Sequence, residues 1–136
     1  ISKMAECLRI TKGVDAIVHL GGYSVEGPWD DILQANIVGC YNVFEAARTL
    51  GLRSMVYASS AAVYGLNDDD AVLDESAACE PSTHYGVFKR TNEGNAHVYF
   101  LDHGLCSAGL RPRRMRSPTT SPKRSTATRR YATCSR

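Results

Sequence analysis

The 136-residue sequence predicts an α/β fold in which parallel strands alternate with helices, and two observations carry that expectation. Three short apolar runs, 16–20, 55–59 and 105–111, have the length of buried strands rather than of helices. The intervals between them are long enough for a helix and a loop, and a strand, helix, strand unit prefers parallel pairing with a right-handed crossover.

Ala16 to Leu20 is a continuous apolar strand candidate, and a glycine-rich loop from Gly21 to Pro28 follows. Pro28 and Asp30 suit the first turn of a helix, where a missing N–H costs nothing and a carboxylate meets the positive end of the helix dipole. Leu33, Ile37, Tyr41, Phe44 and Ala47 recur at spacings of four and three, which marks one buried stripe, and Gly51 fits the helix end. The strand Met55 to Ser59 runs directly into Ser60. A loop from Ala61 to Pro81 contains Asp68-Asp69-Asp70, read as a solvated turn rather than a metal site. A second helix runs from about Thr83 to Asp102, and Leu105 to Arg111 is a weaker third strand. There are no internal repeats.

Composition limits the function classes. A hydrophobic content of 43% with 8% aromatic residues suits a soluble domain with one modest core. No apolar run approaches the ~20 residues of a membrane span, and the start lacks a basic-then-apolar leader, so cytoplasmic residence is the default and no membrane partner is expected. Cys7, Cys40, Cys79, Cys106 and Cys134 are scattered and odd in number, which argues against disulfides and zinc. His19, His84, His97 and His103 form no cluster, so no metal site is expected; His97 and His103 suit a helix surface.

Charge divides the chain in two. Residues 111–136 hold nine of the 16 basic residues and none of the 14 acidic ones, leaving seven basic against fourteen acidic in residues 1–110. Ser, Thr, Arg and Pro dominate that tail without hydrophobic period, which predicts disorder over 113–136. A basic tail can neutralise phosphates, but with Tyr131 as its one aromatic residue it lacks the interleaving of a nucleic-acid site, and nucleic acid is disfavoured as a partner.

The chemistry concentrates at Tyr85 and Lys89. Four residues apart on a helix, they share a face, and an ammonium beside a phenol favours phenolate, so a group that ordinarily titrates near ~10 becomes a usable acid or base. Ser59 and Ser60 lie at a strand's carboxyl end, where ligands of open parallel sheets bind, and a serine there can hydrogen-bond a substrate oxygen beside a helical tyrosine.

Four stretches in order carry a resemblance: Val14-Asp15-Ala16-Ile17-Val18-His19-Leu20-Gly21-Gly22; Asn36-Ile37-Val38-Gly39 with Asn42-Val43-Phe44-Glu45-Ala46-Ala47; Ser59-Ser60-Ala61-Ala62-Val63-Tyr64-Gly65; and Tyr85-Gly86-Val87-Phe88-Lys89. Over residues 1–112 the chain resembles the extended short-chain dehydrogenase/reductase family of NAD-dependent epimerases, dehydratases and sugar dehydrogenases. The resemblance implies a partial Rossmann-like, doubly wound parallel sheet in 1–112, lacking its N-terminal strands, with Ile1 to Cys7 as the helix before the family's fourth strand. It implies Tyr85 as general acid/base, Lys89 as the residue that lowers its pKa and holds the nicotinamide ribose, and Ser60 as the group orienting the reacting oxygen. Leu20, Gly21, Gly22 and Asn36, together with Tyr85 and Lys89, are implied at the cofactor, which is NAD with NADP as the alternative. The substrate class is a sugar or sugar derivative, and the two long helices are implied as a homodimer surface.

Two departures matter. No Gly-x-Gly-x-x-Gly turn with a subsequent acidic residue is present, so this polypeptide alone is expected to bind NAD poorly, which micromolar affinity by calorimetric titration would overturn. After Leu110-Arg111-Pro112 the family's apolar continuation is also absent, and residues 113–136 read as a disordered or frame-shifted tail. Within the family, Gly21-Gly22-Tyr23-Ser24-Val25-Glu26 is most similar to uronate dehydrogenases, which implies Ser24 as a substrate contact. Ala61-Ala62 stands where those enzymes carry Asn-His, closer to sugar-nucleotide epimerases and dehydratases. The competing reading is an inactive truncated fragment or non-catalytic binding module.

Overall fold

The computed structural model describes residues 1–65 and 73–112 together with the backbone of 129–132. Helix α1, Met4–Thr11, leads to strand β1, Ile17–His19; a helical stretch comprises α2, Trp29–Ile32, a π-helical segment, Leu33–Val38, and α3, Gly39–Thr49. Strand β2, Ser54–Ala58, ends in a 3₁₀ turn, Ala61–Tyr64, and α4, His84–His103, precedes β3, Cys106–Arg111. The sheet order is β1-β2-β3-β4, with β1, β2 and β3 parallel; β4, Arg129–Ala132, pairs antiparallel with β3. The α/β class with a parallel sheet is therefore as the sequence implies. The rest of the basic tail and Asp68 to Asp70 lie outside the described residues.

One apolar layer holds the helices against the sheet. Met55 and Tyr57 point inward from β2 and meet Phe44, Ala46 and Ala47 of α3 with Ala96 and Tyr99 of α4. Phe44 packs edge-on against Tyr57 at 5.4 Å between ring centres and stands 5.3 Å from Tyr99. Tyr57 lies across β3 opposite Gly109, where an added Cβ would sit 2.6 Å from the phenol oxygen, so that position has no room for a side chain. Val18, on the other face of β1, is 68% exposed. No helix among the described residues is long and apolar enough to cross a membrane.

Both long helices end as their glycines require. Gly51 and Gly104 have φ of 71° and 65°; a 6→1 bond from Leu52 N–H to Ala47 O (2.9 Å) closes the first helix, and Gly104 N–H to Phe100 O (2.9 Å) with Leu105 N–H to Tyr99 O (3.3 Å) closes the second. Three expectations need correction. Ile32, Asn36, Cys40, Val43, Phe44 and Ala47 are buried, whereas Tyr41 is 47% exposed and Leu33 and Ile37 are half-buried. The π-helical segment adds a residue to the turn and rotates the residues after it, so a stripe counted at 3.6 residues slips register. Pro28 occupies the N-cap of α2 rather than its first turn. Cys7, Cys40 and Cys79 are free as expected, but Cys106 is disulfide-bonded, because pairing depends on Cα proximity that chain spacing does not reveal.

Candidate active site

The start of α4 is built to hold Tyr85. Thr83 caps the helix, its hydroxyl accepting from Gly86 N–H at 3.0 Å, and the N–H of Tyr85 donates to Glu26 Oε2 at 3.1 Å. One turn on, Lys89 is 5% exposed; its Nζ lies 5.6 Å from the centre of the Tyr85 ring and donates to the carbonyl of Ala58 at 2.9 Å. Burial holds the Lys89 ammonium below the usual lysine range. The ammonium thus lies beside the phenol and is pinned to the carboxyl end of β2.

The two serines after β2 diverge, as alternation along an extended chain requires. Ser59 is buried and donates to Glu93 Oε1 at 2.7 Å. Ser60 is half-buried and its Oγ accepts from Ala62 N–H at 3.1 Å, capping the 3₁₀ turn. That turn abuts α4 at Gly86, where a Cβ would be 2.6 Å from Ala62 O. Ser60 and Tyr85 are thereby held on adjoining turns.

The third wall is the loop after β1. Gly22 has φ of 139°, and a Cβ there would be 2.6 Å from Asn36 Oδ1 and 3.8 Å from Lys89 Nζ, so only glycine lets this backbone reach the pair. Asn36 sits in the π-helical segment, a local form frequent at functional sites. Its amide pairs both ways with the backbone of Tyr23, accepting at 2.9 Å and donating at 3.1 Å, while its own carbonyl accepts from Asn92 Nδ2 at 2.8 Å. Tyr85, Lys89, the Ser60 turn, Gly22 and Asn36 are therefore brought together, with Gly21 against the His19 ring. Leu20, 63% exposed, and Ser24, exposed on the loop, are not held against that cluster. A cleft of about 470 Å³ opens beside the α4 start, lined by Glu26, Ser82, Thr83 and His84 among others.

Sequence reasoning missed four supporting side chains. His19 is 8% exposed and its pKa is lowered from 6.5 to about 4 by burial and by the nearby Lys89 charge, so it is neutral. Cys40 is pushed up to about 12 by burial and stays a thiol. Glu93 and Arg111 form a buried pair, Nε to Oε1 at 2.7 Å and Nη2 to Oε2 at 2.8 Å, and Arg111 Nη1 also donates to Tyr64 Oη at 2.8 Å. One signal was available for Glu93. It continues the Tyr85, Lys89 spacing, so a polar residue stood on the helix's inward stripe. Among the described residues no group of His, Cys, Asp and Glu is arranged to hold a metal.

Comparison with known proteins agrees with this fold. The NAD dependent epimerase/dehydratase family model matches residues 1–135. The uronate dehydrogenase of Pseudomonas syringae pv. tomato is 39% identical over 103 residues, covering 76% of this chain and 38% of that enzyme. That of Agrobacterium fabrum is 43% identical over 99 residues, covering 73% and 37%. The crystal structure of a mutant uronate dehydrogenase from Agrobacterium tumefaciens complexed with NAD superimposes with a TM-score of 0.74 at 38% identity, covering 78% of this chain and 40% of that one. The chain spans under two fifths of the length of these curated relatives.

Proposed function

Because the chain belongs to the NAD dependent epimerase/dehydratase family, we propose that it carries the proton-transfer half of an NAD(P)-dependent oxidoreductase or epimerase acting on a sugar or sugar derivative. The observation that carries this reading is Lys89: a buried ammonium beside the Tyr85 ring, anchored to Ala58 and facing Gly22. The residues present fit the nicotinamide-ribose end of NAD, since Lys89 keeps two N–H donors after serving Ala58. When bound, NAD would supply the hydride acceptor.

The remaining work falls to the chain. Tyr85 takes the proton from a substrate hydroxyl, or returns it to a carbonyl, from a helix start whose Tyr85 and Gly86 amides are already satisfied. Lys89 holds a positive charge 5.6 Å from the centre of the Tyr85 ring throughout that transfer. Ser60 orients the reacting oxygen from the adjoining turn, its own Oγ steadied by Ala62 N–H. His19, neutral and buried, adds no second cation to compete with Lys89.

Uronate oxidation is the finer reading, supported by the 43% identity to the Agrobacterium fabrum uronate dehydrogenase. Ala61 and Ala62 weigh toward a sugar-nucleotide substrate, because methyl groups replace two polar contacts. The test is production of NADH, or of the epimeric sugar with NAD regenerated, across a panel of uronates, neutral sugars and sugar nucleotides. Turnover that disappears in Tyr85→Phe with an unchanged circular dichroism spectrum supports the proposal; turnover retained in that variant assigns the proton to another group. A parent with no turnover on any member favours the non-catalytic reading.

A further inference from the structure

We propose that Glu26 is a positioning residue for this site: its carboxylate ties the loop carrying Gly22 and Ser24 to the first turn of the helix carrying Tyr85, and so sets the spacing between them. This rests on the assignment of Tyr85 as the acid/base.

A helix leaves its first amides without intrahelical partners. In α4 the Gly86 N–H is served locally by Thr83, but the Tyr85 N–H is served by Glu26, 59 residues away in the chain. A carboxylate at that place also meets the positive end of a 20-residue helix. Glu26 Oε1 stands 3.8 Å from His84 Nδ1, so both carboxylate oxygens face the same turn.

The loop is fixed on its other side as well. Tyr23 is held in both directions by the Asn36 amide. Between that anchor and Glu26 lie only Ser24 and Val25, both exposed, so Glu26 decides where Ser24 stands relative to Tyr85. Trp29 closes the far end of the loop, edge-on to His84 at 5.0 Å and to Phe88 at 5.1 Å. The side chains of Glu26 and His84 are 46% and 67% exposed, which makes them a minor contributor to global stability and a candidate for a geometric role instead.

The test compares Glu26→Ala and Glu26→Gln in the full chain by two readouts. In ¹⁵N-resolved spectra, Glu26→Ala should move the Tyr85, Gly22 and Ser24 amide resonances and speed hydrogen exchange at Tyr85 about tenfold, with little change in melting temperature. In turnover, Glu26→Ala should lower kcat about tenfold while KM for NAD holds, and Glu26→Gln, which can still accept from Tyr85, should recover most of the loss. Unmoved Gly22 and Ser24 resonances in Glu26→Ala would overturn the proposal, as would full kcat after the Tyr85 amide has been released. If the parent turns over no substrate, the enzymatic reading fails by itself, and the resonances still decide whether Glu26 joins loop to helix.

Discussion

Gly86 approaches Ala62 so closely that a methyl group on its Cα would lie 2.6 Å from the Ala62 carbonyl oxygen. This contact holds the Ser60 turn against the helix of Tyr85, and it rests on a backbone atom that cannot rotate away.

Gly86→Ala sets two effects against each other. Alanine in a helix gains up to about 1 kcal/mol over glycine, whereas overpacking against fixed backbone costs about 1–3 kcal/mol. The clash should win, lowering urea stability and turnover together. Gly94, on the same helix with nothing within 4 Å of its added Cβ, is the control: Gly94→Ala should stabilise by roughly 0.5–1 kcal/mol. Stabilisation by Gly86→Ala would show that the turn yields.

His19 makes stability depend on pH. Its folded pKa is lowered from 6.5 to about 4, so the unfolded chain binds a proton that the folded chain refuses. Its contribution is complete above pH 6.5 and is lost as pH falls toward 4, amounting to roughly 3 kcal/mol across that window. Urea titrations from pH 7 to pH 4 should show this slope, flattened in His19→Gln. An equal slope in the variant would place the titration elsewhere.

Glu93 and Arg111 should be costly to separate and cheap to remove together. Arg111 is 3% and Glu93 0% exposed, so removing one partner of this buried pair costs about 3–5 kcal/mol, while a well-packed apolar pair of similar volume is near neutral. Glu93→Gln should therefore destabilise more than the double change Glu93→Leu with Arg111→Met, as measured by chemical denaturation. Because Ser59 also binds Glu93, the single variant should disturb the Ser59 resonance. Additive losses in the double variant would mean that the two charges do not depend on each other.

Local rules made much of the fold legible. The short apolar runs became β1, β2 and β3, and Gly51 marked a helix end because a left-handed residue closes the last turn. Tyr85 and Lys89 were readable because residues four apart on a helix must share a face. Their neighbours were less so. Ser59 and Ser60 look alike in sequence, yet one belongs to the Glu93 network and the other to the turn beside Tyr85. The stripe from Leu33 to Ala47 was misjudged at Tyr41 because the π-helical segment changes the angular step that the count assumes.

The amino-acid order by itself determined most of the elements, their stops and the pairing of Tyr85 with Lys89 on one helix face, since those depend on backbone geometry and on spacings within one turn. Tertiary structure alone decided that Lys89 reaches Ala58, that Glu26 serves Tyr85 across 59 residues, and that Glu93 meets Arg111. Each of those is a partnership between groups distant along the chain, selected because burial leaves a charge or an amide no water to turn to, and no spacing rule records which partner it will find.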